Sequence, residues 1–422
     1  MISLNPAKLN RCDWFIIVWV LYYLQGVLYS SGGAISTGLL GINLLISIYC
    51  AIKIWQMPNN PPYIKGLNLL VLMFSIYGFY LILMNPSTVY YSMSGFSMAS
   101  YNYIKSIYLS ILPIYAFYYF SLKGYLTKRA VTESQKNIDA FYYFSLKGYL
   151  TAERLRWWAV VFSISCVVSY YLYMQQAMEK LLARGSSAEE ITNNVGYLFL
   201  SLIPVWVLFR KKPLLQYAGL AFCMAFILMG MKRGAILIGG VVVLYLIWQI
   251  IRNARGNQRF IVILLTAVLA VAGVYFVIDM MTSSDYFIQR LEATKEGNSS
   301  GRDSLYSFFW TYFTEKADAI QYLFGRGANG TLEIYYNYAH NDWLEIAVNQ
   351  GLLGIIVYAV YWKKFYSTWR QSTNIEAKTI LALIGIIYFA KTLFSMSYAD
   401  MTYVCTSVLG YALATYKNPN TI

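Results

Sequence analysis

Long apolar runs recur from one end of this chain to the other, and they restrict what it can fold into more than any other feature. They fall at about 14–31, 35–54, 66–84, 103–122, 157–177, 194–209, 213–230, 234–251, 260–280, 343–362, 379–397 and 399–416. Most are roughly 17 to 22 residues long, enough helix to cross a hydrocarbon core about 30 Å thick. Hydrophobic residues make up 58% of the chain and charged ones 12%, against about 25% charged in a soluble domain. The mean hydropathy is +0.48. The expected fold class is all-α, a polytopic membrane protein of about 12 transmembrane helices, with residues 1–422 forming a single integral membrane domain. The first run follows a basic start and precedes SSGGA, but its length reads as an uncleaved first helix rather than a signal peptide.

A net charge of +14 would suit a nucleic-acid binder, but the placement of the charges gives another account. With both termini cytoplasmic, the inward-facing segments hold 22 Lys and Arg and five acids, whereas the outward-facing segments hold 10 Lys and Arg and 14 acids. Arg210-Lys211-Lys212, Arg252/Arg255/Arg259 and Lys363-Lys364 all fall inside. That is the positive-inside bias, so the basic balance reports topology and implies no nucleic-acid partner. The five cysteines lie in or beside the apolar runs without C-x-x-C spacing, so neither a disulfide framework nor a zinc site is expected. With one histidine and no clustered carboxylates, no metal and no cofactor are expected.

Two features interrupt the succession of helices. AFYYFSLKGYLT occurs at 116–127 and again at 140–151, separated by the polar stretch KRAVTESQKNID. Two copies do not make a solenoid. They read as a local duplication that lengthens a cytoplasmic loop, the second copy lying along the membrane interface. The other feature is 281–342, the single long outward-facing segment, expected to form a large periplasmic loop. Within it, Leu305, Phe308, Phe309, Tyr312, Phe313 and Ile320 recur at helical spacing, which predicts an amphipathic helix from about 303 to 323. The glycine-rich FGRGANG then ends it, and a long ordered loop with its own helix is more often functional than idle.

Basic residues on the outward side are the exceptions to the charge bias. Lys232 and Arg233 occupy GMKRGA, a tight turn between two runs. They read either as snorkelling side chains or as an anion site, where guanidinium forks onto phosphate oxygens. Arg302 opens the expected loop helix, where N–H groups and the dipole favour an anion, although Asp303 beside it is a competing partner. Arg290 and Arg326 are further outward bases. Lys391 lies inside a run, either paired with Asp400, snorkelling outward, or facing a cavity. His340, the one histidine of the chain, sits just before the run at 343–362. It reads either as an interfacial residue or as a proton handler, since imidazole titrates between pH 5 and 8.

The stretch HNDWLEIAVNQGLLGIIVY resembles the signature of the O-antigen polymerase and ligase superfamily, H-N-x-x-L-x-x-x-x-x-x-G-x-x-G. SGRDSLYSFFW followed by GRG, and KRGA at a turn, resemble that superfamily's arginine sites. The resemblance covers roughly 230–362. It implies a bacterial inner-membrane glycosyltransferase of about a dozen helices, with its active site facing the periplasm, that works without a metal and acts in lipopolysaccharide biosynthesis. The implied donor is an undecaprenyl-pyrophosphate-linked oligosaccharide, with membrane lipid around it and a chain-length regulator protein as a candidate partner. On matching positions, Arg233 and Arg302 would bind the pyrophosphate and His340 would act as base for the acceptor hydroxyl. Lys232, Arg290, Arg326, Asn341, Asp342 and Lys391 would contribute to substrate binding.

The motif HND followed by Trp inclines the reading toward a polymerase, which moves the glycan onto another lipid-linked repeat unit by inverting transfer. The alternative is a ligase that moves it to the lipid A core. A polysaccharide transporter or flippase fits the hydropathy equally well, but such a protein should show repeated halves or several intramembrane charges. The asymmetric outer loop favours an enzyme.

Overall fold

Every apolar run carries a helix in the computed structural model of the chain, which describes residues 9–28, 33–57, 59–85, 88–91, 97–133, 150–182, 195–283, 288, 292, 302–398 and 400–417. The protein is an all-α polytopic membrane protein. Among the described residues, six helices are long and apolar enough to cross a membrane: Ala34–Trp55, Pro62–Met84, Ala152–Glu179, Arg233–Asn253, Asp342–Gln371 and Ile375–Phe394. Gly196–Phe209, Pro213–Met229, Arg259–Tyr275 and Tyr403–Thr415 are shorter apolar helices. Leu83, Leu237, Leu244, Val271 and Tyr275 are all exposed. In water such side chains would forgo roughly 1.5–3 kcal/mol each, whereas hydrocarbon accommodates them.

Local chemistry sets the helix ends. Pro62 and Pro213 stand in the first turn of their helices, where the missing N–H costs nothing. Asn374 and Thr402 cap theirs by accepting from the N–H groups of Glu376 and Cys405, meeting part of the demand of the unpaired first turn. The expected span at 194–209 is not uniform. Gly196–Leu202 is α-helical and Ile203–Phe209 tightens to a 3₁₀ helix, where Pro204 removes an N–H from the α pattern. One small exception to the helical fold is an antiparallel hairpin pairing Val89–Tyr91 with Ser97–Ala99.

Tyr403–Thr415 packs along Ser100–Glu133, and Pro62–Met84 along Asp342–Gln371. Aromatic rings fill the interior, with Phe15, Trp19, Phe117, Trp158 and Phe162 all buried. Tyr63 pins the second helix pair. Its N–H donates to Thr368 Oγ1 across 2.8 Å, and its hydroxyl meets that of Tyr361 at 2.9 Å.

Three expectations need revision. The helix predicted over 303–323 is broken into Arg302–Thr311, a π-helical turn Tyr312–Lys316, and Ala319–Phe324. Asp318 starts the last piece by accepting from the N–H groups of Ile320 and Gln321 at 2.9 and 2.8 Å, so a capping carboxylate overrode the apolar period. Leu305, Phe309 and Phe313 are buried as expected, but Ile320 is 72% exposed because the break turns it outward. At the start of 281–342, the preceding helix Asn257–Ser283 extends into the expected loop. The first copy of the duplicated segment continues its helix to Glu133 rather than ending near 122. The second copy lies outside the described residues except for Leu150 and Thr151, and Arg290 lies outside them as well.

The segment 324–330 docks on a break in Asp342–Gln371. Gly351 has φ +67° inside that helix, a conformation that glycine adopts at no steric cost. The break frees the carbonyls of Val348 and Asn349 to accept from Arg326 N–H at 2.8 Å and Gly327 N–H at 2.9 Å. A Cβ at Gly351 would lie 2.5 Å from Gly325 N, and one at Gly325 (φ +78°) would lie 2.3 Å from the Asn349 carbonyl. The two glycines therefore belong to one joint, which fixes the segment 324–330 to the helix Asp342–Gln371.

Candidate functional site

The corner before Asp342–Gln371 is built by Asn341 and Asp342. Asn341 Oδ1 accepts from the N–H groups of Trp343 and Leu344 at 3.0 and 3.1 Å, and its amide donates to the Leu393 carbonyl at 2.9 Å. Asp342 is fully buried. It accepts from Ser397 N–H at 2.9 Å and from the Tyr358 hydroxyl at 2.6 Å, so its acceptors are consumed inside the protein. These bonds tie the start of one helix to the end of Ile375–Phe394 and the segment after it. His340 stands just ahead of them with φ +52°, a left-handed conformation uncommon for a residue other than glycine. Its carbonyl accepts from the Tyr306 hydroxyl at 3.1 Å, which brings Arg302–Thr311 alongside.

Around this corner lies a cavity of about 590 Å³ whose lining includes Lys232, Arg302, His340, Glu345 and Lys391. Separate parts of the chain thus deliver three cations, an imidazole and two carboxylates, those of Glu345 and Asp400, to one space. Tyr23, Tyr103, Tyr197, Tyr338 and Tyr398 line it as well.

Lys391 has a side chain only 3% exposed, paired with Asp400 at 2.5 Å. Its ammonium also lies 4.9 Å from the ring centre of Tyr197 and 5.2 Å from that of Tyr388. A buried cation needs such company; Lys391 is paired with Asp400 and also lines the cavity. Burial first, and then the charges of Arg302 and Lys232, lower the pKa of His340 from its ordinary value. That direction favours the neutral imidazole, the form that accepts a proton.

The other residues singled out from the sequence lie elsewhere. Arg233 opens the helix Arg233–Asn253 and is not part of the lining; its neighbour Lys232 faces the cavity. Arg326 is paired with Glu333 at 2.9 Å and donates to the Tyr312 hydroxyl at 3.1 Å. Those partners raise its pKa, and it serves the docked segment 324–330. Asn341 and Asp342 have the structural partners described above.

Sequence reasoning passed over Glu345 and the tyrosines. Glu345 is 1% exposed. It accepts from Thr331 Oγ1 at 2.5 Å, Asn349 Nδ2 at 2.9 Å and Ala339 N–H at 2.7 Å. Its spacing was the available signal: an acid one helical turn after Asn341 shares that residue's face. Among the described residues no group of three or more His, Cys, Asp or Glu could hold a metal ion.

Residues 218–359 match the family model described as O-antigen ligase. It is this segment, residues 218–359, that belongs with the O-antigen ligase family. The O-antigen ligase match includes Lys232, Arg233, Arg302, His340 and Glu345, and it ends before Lys391 and Asp400. No curated protein matches the chain.

Proposed function

We propose that the protein transfers a glycan from a lipid pyrophosphate to an acceptor hydroxyl, in a site that faces the periplasm from a bacterial inner membrane. The observation that carries this reading is the meeting of Lys232, Arg302 and Lys391 with the imidazole of His340 around one cavity. Pyrophosphate carries the charge that three cations would neutralise, and guanidinium binds it through paired donors. The tyrosines supply flat faces and hydroxyls suited to sugar rings.

In the proposed reaction the acceptor oxygen attacks the anomeric carbon from the face opposite the pyrophosphate. The new C–O bond forms as the bond to the leaving oxygen breaks, and the bonding pair departs with the lipid pyrophosphate. His340 takes the proton from the attacking hydroxyl, a role worth typically about 10²–10⁴-fold. Lys232, Arg302 and Lys391 stabilise the charge that grows on the leaving group. Arg233, assigned a pyrophosphate role by resemblance, acts in this scheme by starting the helix that places Lys232.

The family description favours a ligase, with lipid A core sugar as acceptor, over the polymerase suggested by the HND motif. The donor in either case is an undecaprenyl-pyrophosphate-linked oligosaccharide. The test is the fate of the glycan when His340→Ala replaces the native protein in its own cell. A ligase leaves full-length polymer on undecaprenyl pyrophosphate and bare lipid A core. A polymerase leaves lipid-linked single repeats, and a protein of unrelated function leaves both pools unchanged.

A further inference from the structure

A second cavity, of about 420 Å³, lies at the other end of the helix bundle. Lys232, which lines the candidate site, immediately precedes the helix Arg233–Asn253, and Asn253 lines the second cavity. Those 21 residues make about 30 Å of helix. The helix Ile375–Phe394 repeats the relationship, with Glu376 in the second cavity and Lys391 in the first. The two spaces are therefore separated by about the thickness of a hydrocarbon core, and the second belongs to the end that carries the basic clusters.

Arg210 and Lys211 stand at this cavity, and the helix Pro213–Met229 opens there without a side-chain cap, so its positive dipole end adds to theirs. Gln216, one turn in, lines the cavity while only 2% exposed. A carboxamide carries two N–H donors, so Gln216 can donate to a ligand oxygen in this space. Glu376 offsets part of the positive charge, but its carboxylate already accepts from the Tyr411 hydroxyl at 2.8 Å and lies 3.8 Å from Arg210 Nε. Leu246, Ile250 and Val262 form an apolar wall. Trp248, Phe260 and Ile261, on the helices Arg233–Asn253 and Asn257–Ser283 that supply this wall, are exposed apolar residues, so the same helices also present an apolar outer surface.

We propose that this cavity binds the phosphate headgroup of an anionic phospholipid of the cytoplasmic leaflet. Arg210 and Lys211 meet the phosphate, Gln216 donates to one of its oxygens, and an acyl chain lies on the wall of Leu246, Ile250 and Val262. Basic pockets between helices on this side of a membrane suit such headgroups. The site is independent of the glycan-transfer reading.

Native mass spectrometry of the intact protein in detergent tests this directly, with phosphatidylglycerol, phosphatidylcholine and inorganic phosphate as separate probes. One phosphatidylglycerol should be retained per chain, at least tenfold more than phosphatidylcholine, and millimolar inorganic phosphate should not displace it. Retention should fall to the phosphatidylcholine level in Arg210→Gln/Lys211→Gln. It should also fall severalfold in Gln216→Leu, which leaves the surface charge unchanged and needs no rearrangement of the Arg210–Glu376 pair. Equal retention of the two lipids would overturn the proposal, as would full retention by Gln216→Leu. Displacement by inorganic phosphate alone would assign the site to a soluble anion instead and overturn the lipid.

Discussion

The backbone N–H of Ala339 donates to Glu345 Oε2 across 2.7 Å, tying the residue before His340 to the first turn of the following helix. The same carboxylate holds Thr331 and Asn349 through its other oxygen. Glu345 thus joins the short helix Gly330–Tyr335, the histidine corner and the helix Asp342–Gln371 at one buried point. Its part in the site is positional: it keeps the left-handed His340 over the cavity.

Replacing Glu345 with Gln should therefore loosen the corner. All three of its partners donate, and a carboxamide cannot accept on its nitrogen. Stability should fall by about 1–3 kcal/mol for the donor left unmatched, read as a lower midpoint in thermal unfolding. In a transfer assay kcat should drop severalfold while KM for the donor changes little, because the cations remain in place. An unchanged kcat would remove Glu345 from the support of His340.

How much of this was legible beforehand follows from the kind of signal each part leaves. Helix positions were, because spanning length and apolarity act within a single segment. The break at Asp318 was not, because one capping carboxylate outweighed a period carried by six apolar residues. Lys232, Arg302 and His340 stood out as bases and a lone imidazole on the acidic side of the chain. The distinction between Lys232 and Arg233 depends on which residue of a turn points inward, and adjacent cations leave that undetermined. Glu345 was hidden for a related reason: its partner Thr331 comes from a separate helix, and only the fold brings it to the helix that carries Glu345 and Asn349.

Orientation gives the next test. The described cysteines are free and buried, so an introduced exposed cysteine is the accessible one. Glu315→Cys should react with a membrane-impermeant maleimide added outside intact spheroplasts, and Lys363→Cys should react only after lysis. The reverse pattern would put the candidate site in the cytoplasm.

The pair of Lys391 and Asp400 should respond unequally to neutralisation. The Lys391 side chain is 3% exposed and that of Asp400 is 58% exposed. Asp400→Asn leaves a buried ammonium without its carboxylate, so stability should fall by up to about 3 kcal/mol. Lys391→Met leaves a solvated carboxylate and should fold almost as well as the native protein, yet bind donor at least tenfold more weakly. Equal destabilisation by both would contradict this assignment, and so would undiminished donor binding by Lys391→Met.

A single histidine makes the electrostatics directly measurable. The His340 pKa is lowered by burial, then by Arg302 and Lys232, so its NMR titration in the free protein should have a midpoint below that of an ordinary imidazole. Removing a neighbouring cation makes protonation easier, so Lys232→Gln should raise the midpoint. A bound pyrophosphate should raise it further by neutralising the same charges. A midpoint unmoved by Lys232→Gln would separate the two residues electrostatically.

The most direct measurement is single-turnover transfer by the purified protein, with an undecaprenyl-pyrophosphate-linked oligosaccharide as donor and lipid A core as acceptor, comparing the native protein with His340→Ala. If the cavity is the transfer site and His340 its base, the variant should still bind donor through Lys232, Arg302 and Lys391 while its rate falls by about 10²–10⁴-fold. A His340→Ala protein that transfers glycan at the native rate would contradict the role of His340, and with it the reading of this cavity as the transfer site.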